Sequence, residues 1–312
     1  MGIEDGFLPS APVGPGSASP ESAPQGLALW WRAVRPRTLT LAFAPVLAGS
    51  ALAYAEVGQL NALILICTLI GALAIQAGTN LHNDAADFLK GADLPLRQGP
   101  QRVSAMGWAS PGQVRLAAGI SFFLASLCGS VLVFFGGIPI LLLGVASMLS
   151  GWAYSFGPWP IAYTPLGELF VIAFFGLGAV GGSFYLQTQD MSAAALIVGL
   201  ALGLVAAGVL MVNNYRDMEP DRLAGRRTLA ILAGPRAAKA FFALFMLAPA
   251  FLLLVPGGPK GGWLALLLLP LAARLVYRFQ TEAKGLAFNR ILGATSAFQL
   301  LLAVLIALGV LL

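Results

Sequence analysis

Apolar residues in this chain come in long runs, not in the alternations that give a soluble helix or strand one wet face. Nine such runs lie near 38–56, 60–82, 113–135, 138–155, 166–187, 192–214, 237–256, 262–279 and 287–312. Each is roughly twenty residues long, the length an α-helix needs to cross the hydrocarbon core of a bilayer. Pro249 and Pro270 fall inside the seventh and eighth runs, where bilayer helices tolerate proline if neighbours re-satisfy the freed carbonyls. The pattern predicts an all-α polytopic membrane protein of about nine transmembrane helices, in a single domain over 29–312.

Composition agrees: 58% of the 312 residues are apolar and 10% are charged, with a mean hydropathy of +0.84, outside the soluble range. Residues 1–28 are rich in Pro, Gly, Ser and Ala without buried-face periodicity and read as a disordered cytoplasmic tail. The acidic start lacks the apolar core of a secretory signal, and Gly6 stands where a myristoylation signal needs Ser or Thr. Cys67 and Cys128 fall inside predicted spans without metal-binding spacing and are expected to pack as small apolar residues.

With the tail cytoplasmic and nine alternating helices, every lysine and arginine except Lys260 falls on inner loops or helix ends. This is the positive-inside asymmetry, and it places the protein in the cell (inner) membrane with its N-terminus in the cytoplasm. The net charge of +5 therefore reflects topology. No nucleic-acid partner is expected, because the cations are scattered over several loops and no recognition module is present.

The chemistry concentrates at two helix feet. After the second run the chain reads "NLHNDAADFLKGAD" from 80 to 93. Asn80, Asp84 and Asp87 stand at i, i+4 and i+7 on one stripe, with Asn83 one turn before Asp87. After the sixth run, "NNYRDMEPDRLAGRRTLA" from 213 to 230 puts Asp217 and Asp221 one turn apart, with Asn213 and Asn214 on much the same face. Asp84 and Asp217 are four predicted helices apart, so both clusters return to one leaflet, as in a parallel internal repeat of helix order. Carboxylates near lipid cost roughly 2.5–3.5 kcal/mol each at a helix centre, less toward the interface, so something must offset them. Asp and Asn oxygens suit Mg²⁺, which proteins usually hold with a few carboxylates plus substrate phosphates. Lys90, Arg97, Arg102, Arg226 and Arg227 follow closely and point to a ligand more negative than Mg²⁺ alone neutralises, a diphosphate. The bland reading of either cluster is charge pairing that fixes loops at the membrane border. His82 lies off the stripe and is expected to pack beside the site.

"NDAAD" at 83–87 and "DMEPD" at 217–221 resemble the N-D-x-x-D and D-x-x-x-D motifs of the UbiA superfamily of intramembrane prenyltransferases. The resemblance covers nearly the whole chain beyond residue 29. It is closest to the 1,4-dihydroxy-2-naphthoate polyprenyltransferases of menaquinone and phylloquinone synthesis, through "RPRTLTLAFAPVLAGSALA" at 35–53, "DFLKGAD" and "GPQRV" within 87–103, and "LGELFVIAFFG" at 166–176. It implies helices around a central cavity open to the cytoplasmic leaflet, and transfer of a polyprenyl group from a polyprenyl diphosphate to 1,4-dihydroxy-2-naphthoate with loss of CO₂ and diphosphate. By this resemblance Asp84, Asp87, Asp217 and Asp221 are expected to hold Mg²⁺, with Asn80, Asn83 and Asn214 as auxiliary oxygens or donors. Arg97, Arg102 and Arg226, with Lys90, are expected to bind the diphosphate, while Asp93 either holds metal or orients Lys90. Tyr154, in the aromatic stretch "YSFGPWPIAY" at 154–163, is expected to shield the allylic cation, the alternative for these rings being an interfacial aromatic belt.

Two departures matter. Pro158 stands where many superfamily members carry a lysine four residues after this tyrosine, so the leaving group must be served by loop arginines. "FLKGADLPLRQGPQRV" lacks the D-x-D continuation of the hydroxybenzoate branch, which favours the naphthoate branch. The alternatives are a hydroxybenzoate or homogentisate acceptor or, from another class, a cation transporter, whose ionisable groups belong at the midplane and not at one leaflet. Gly176, Gly178, Gly181 and Gly182 either line a groove for the prenyl chain or let helices pack closely, the latter favoured.

Overall fold

Helix limits follow local chemistry. The computed structural model describes residues 24–91 and 99–312, and all regular structure among them is helical. A short α1 (Leu27–Ala33) precedes α2 (Pro36–Val57) and α3 (Ala62–Leu89), and Asn61 caps α3 by accepting from the amides of Leu63 and Ile64. Ser110 and Gln113 form a reciprocal capping box that starts α4 (Pro111–Ala153). Next come α5 (Gly167–Ile172) and α6 (Ala179–Thr188), joined by a π-helical turn into one span, and then α7 (Ala193–Arg216) and α8 (Met218–Leu223). The chain ends with α9 (Leu229–Leu252), α10 (Leu269–Thr281, entered through a 3₁₀ segment) and α11 (Leu286–Leu311). Helix α1 begins at Leu27, at the end of the segment expected to be a tail, of which residues 1–23 lie outside the described residues.

Among the described residues eight helices are long and apolar enough to cross a membrane, against about nine expected. The difference lies in α4, whose 43 residues would run to about 64 Å if straight, twice a hydrocarbon core of about 30 Å. It breaks at Gly137 (φ 63°, ψ −150°), a conformation glycine adopts without steric cost. The two arms hold the expected third and fourth runs. Its outer face bares Leu116, Ile120, Phe123, Leu127 and Phe134, an apolar stripe suited to a lipid-facing surface.

The most enclosed span is α7, which packs against α2, α5, α9 and α11. Small residues let it sit close. A Cβ on Gly176 would lie 2.4 Å from the Gly199 carbonyl oxygen and 2.7 Å from the Gly203 Cα. Gly178 and Gly182 instead line a cavity opposite Leu143, so the two readings of these glycines divide between residues. The 28 residues of α3 reach about 42 Å, longer than the hydrocarbon thickness, and its last turns share the wall of one polar chamber with the end of α7.

Candidate active site

Those two helix ends enclose a small polar chamber whose wall includes Asn83 and Asp87 from α3, Asn213 and Asn214 from α7, and Asp217 between α7 and α8. Asp221 of α8, Arg102, Arg226, Arg35 and Tyr154 complete its polar lining. Asp87 is its electrostatic centre. At 1% exposure, its Oδ2 receives both Arg102 (2.5 Å) and Arg226 (2.7 Å), one from each loop after the two motifs. Its Oδ1 is buried without a hydrogen-bond partner, which leaves one anionic oxygen available in a chamber of oxygens. Arg226 also reaches Asp221 at 3.3 Å and lies over the Tyr163 ring at 5.0 Å. Burial works against its charge, but the carboxylates of Asp87 and Asp221 raise its pKa above the ordinary guanidinium value.

The α7 side is braced by partners that the sequence did not single out. Arg216 grips both oxygens of Asp217 at 2.8 and 2.5 Å and donates to Asn213 and Asn289. Glu168, buried at the start of α5, accepts from Asn214 Nδ2 at 2.9 Å, which turns the Asn214 oxygen away from Glu168. The available signal was a lone carboxylate opening an apolar run, a position that calls for a partner.

Three expected ligands are held by other partners and lie off the chamber wall. Asp84 is buried at 1% exposure and lies off the chamber wall; its two oxygens accept from the amides of Val103 (3.0 Å) and Ser104 (3.1 Å). It pins the loop that carries Arg102, which also reaches the Asn83 carbonyl at 3.3 Å. Asn80 donates to the Val34 carbonyl (2.9 Å) and Thr38 Oγ1 (3.0 Å), clamping the turn between α1 and α2. Lys90 donates to the Ser155 carbonyl at 2.8 Å and lies 5.1 Å from the Tyr163 ring centre, away from the chamber. Burial leads in lowering its pKa, and nearby Arg226 adds to this against the pull of Asp87. Arg97 and Asp93 lie outside the described residues. Asp84→Asn turns an amide N–H toward a backbone N–H and is expected to cost about 1–3 kcal/mol, read as a lower unfolding temperature in detergent; an unchanged midpoint would remove the pinning role.

His82 packs against Trp152 and Phe156, as expected for a residue off the stripe, and Cys67 and Cys128 are buried in one apolar cluster. Tyr154 faces the chamber and also a second, much larger cavity of about 680 Å³ walled by α2, α3, α4, α5, α6 and α7. Arg35, Asn83, Tyr154 and Asn213 line both. The two cavities therefore share a polar–apolar junction. Among the described residues no group of three or more His, Cys, Asp or Glu is arranged to hold a metal by itself. The donors fit an ion that takes one or two carboxylates and completes its shell with water and phosphate, as Mg²⁺ does, and the orphaned Asp87 oxygen is such a donor.

Comparison with known proteins gives the family and the fold. Residues 42–285 match the model of the UbiA prenyltransferase family. The chain is 33% identical over 291 residues to the 1,4-dihydroxy-2-naphthoate octaprenyltransferase of Escherichia coli, covering 90% of this chain and 94% of that protein. It is 34% identical over 225 residues to the protein of the same name from Bacillus subtilis, covering 72% of each. Its fold superimposes on a UbiA homologue from Archaeoglobus fulgidus bound to DMAPP and Mg²⁺ with a TM-score of 0.65 at 16% identity, over 90% of this chain and 98% of that one.

Proposed function

Because the chain belongs to the UbiA prenyltransferase family, we propose that it transfers a polyprenyl group from a polyprenyl diphosphate to 1,4-dihydroxy-2-naphthoate, releasing CO₂ and diphosphate, as a step of menaquinone or phylloquinone synthesis. The observation that carries the reading is the junction itself: a chamber of carboxylates and guanidiniums opens beside an apolar cavity through a shared wall. A prenyl diphosphate has those two halves. Its head is an anion that needs metal and cations, and its tail would cost about 0.8 kcal/mol per CH₂ to expose to water. The acceptor is supported by the names of the relatives.

In this reading Asp87, Asp217 and Asp221, with oxygens of Asn83 and Asn214, would hold magnesium, one or two carboxylates to each ion, and the metal would neutralise charge on the departing diphosphate. Arg102 and Arg226 turn from Asp87 toward the diphosphate oxygens and stabilise the same charge through fixed donors. The allylic C1–O bond breaks, and C1 bonds to the ring carbon that bears the carboxylate. The ring–carboxylate bond then breaks, its electron pair returns to the ring, and CO₂ leaves. No proton has to be removed from that carbon. The apolar cavity keeps water from the allylic cation, and the Tyr154 ring at the junction stabilises its charge.

The lysine and arginine asymmetry supports a multi-pass inner-membrane protein whose N-terminus and chamber face the cytoplasm. Purified protein given 1,4-dihydroxy-2-naphthoate, a polyprenyl diphosphate and Mg²⁺ is expected to form the prenylated naphthoquinol with stoichiometric CO₂. Chelation with EDTA stops the reaction and added Mg²⁺ restores it. Transfer only to hydroxybenzoate or homogentisate would move the protein to a sister branch, and divalent-cation uptake by reconstituted vesicles without diphosphate release would favour the transporter.

A further inference from the structure

Of the four junction residues, the reaction outlined above leaves Arg35 and Asn213 without a task, and Asn213 already accepts from Arg216. Arg35 lines the polar chamber and is also the single charged residue lining the 680 Å³ cavity among the described residues. Its backbone is left-handed (φ 56°, ψ 70°), a region that side-chain-bearing residues enter only at a steric cost. Pro36 follows directly, and a following proline biases its predecessor toward extended backbone. A glycine would relieve this strain, yet an arginine stands here. Residues of this kind persist only where their surroundings over-determine them, and they gather at functional sites.

The surroundings do over-determine it. Asn80 ties the Val34 carbonyl on one side of Arg35 and the Thr38 hydroxyl on the other. Thr38 in turn donates its hydroxyl and its amide to the Arg35 carbonyl, each at 2.9 Å. Asn80, one turn before the first motif, is thus spent on holding one strained turn in register with the cavities.

We propose that Arg35 binds the carboxylate of the aromatic acceptor; the inference rests on the prenyl-transfer reading above. The diphosphate belongs among the carboxylates of the chamber, where Arg102 and Arg226 converge on Asp87. The acceptor ring has to lie on the apolar side, within reach of the prenyl C1, and it brings one negative charge into a wall that is otherwise apolar or neutral. A carboxylate in such a place is costly unless a cation meets it, and a guanidinium fork at the shared wall does so with two parallel hydrogen bonds. The contact orients the ring so that the carbon bearing the carboxylate faces the chamber. It breaks as CO₂ departs, because a neutral gas offers the fork nothing to hold.

Arg35→Gly, Arg35→Gln and Arg35→Lys test this. The expected result for Gly and Gln is a rise of tenfold or more in KM for 1,4-dihydroxy-2-naphthoate, with KM for the polyprenyl diphosphate unchanged within twofold. Arg35→Lys, which keeps the charge without the fork, falls between them and the wild type. Inhibition by 1-hydroxy-2-naphthoate, which carries the carboxylate, weakens in parallel, whereas inhibition by 1,4-naphthalenediol, which lacks it, does not change. Arg35→Gly unfolds at a temperature no lower than the wild type, since it relaxes the left-handed backbone while losing the contact. A rise confined to the prenyl diphosphate KM, or no change for either substrate, overturns the assignment. Failure of the underlying reading is separate: it appears in the wild type, as no transfer to the naphthoate, and the same variants are then assayed with whichever aromatic acid the wild type accepts.

Discussion

Asp87→Asn is expected to lower prenyl transfer on the order of 10³-fold, the scale seen when a fixed charge-stabilising group leaves a water-excluded site. The Asp87 carboxylate is where the two motifs meet: one oxygen takes Arg102 and Arg226, and the other is buried and unpartnered. An amide there loses the negative charge that both guanidiniums use. Whichever way it turns, it offers a cation one neutral oxygen instead of an anionic pair. Breaking a buried ion pair by removing one partner costs about 3–5 kcal/mol, so the variant is also expected to unfold at lower temperature. Transfer measured with labelled prenyl diphosphate, beside circular dichroism of the same detergent sample, separates the two effects. A folded Asp87→Asn protein that keeps more than about a tenth of wild-type transfer would contradict a central role for this carboxylate.

Gly176→Ala is expected to lower stability through backbone packing alone, without removing any charge. The added methyl would sit 2.4 Å from the Gly199 oxygen, 2.7 Å from the Gly203 Cα and 3.0 Å from the Gly203 nitrogen. All three are backbone atoms, so no rotamer change relieves the overlap and the α5–α6 span must move off α7. Overpacking of this sort costs about 1–3 kcal/mol, occasionally more. The movement also reaches the chamber, because the displaced span begins with Glu168 and α7 carries its partner Asn214. A lowered melting temperature and a fall in transfer are expected together. Gly119→Ala is the control: this α4 glycine has open space around its would-be Cβ, and alanine gains up to about 1 kcal/mol of helix propensity there. Equal melting temperatures for the two variants would show that the glycine contact does not set the spacing of these helices.

The sequence by itself determined the spans, because a bilayer asks each crossing for a run of fixed length and the chain writes those runs in apolar residues. It also grouped Asn83, Asp87, Asn214, Asp217, Asp221, Arg102 and Arg226, which line one chamber, because matched Asn/Asp stripes beside lipid call for a common ligand to offset their cost. It could not tell those residues from Asn80, Asp84 and Lys90, which share the same helix end. Helical period fixes the direction in which a side chain leaves its helix, not which part of the chain arrives to meet it. Only the tertiary structure brings the Val34–Thr38 turn onto Asn80, the Val103–Ser104 amides onto Asp84 and the Ser155 carbonyl onto Lys90. The same long-range packing joined Glu168 to Asn214 across 46 residues and set Arg35 between two cavities, because hydrogen bonds of that span are decided by how helices pack and leave no periodic trace in the chain.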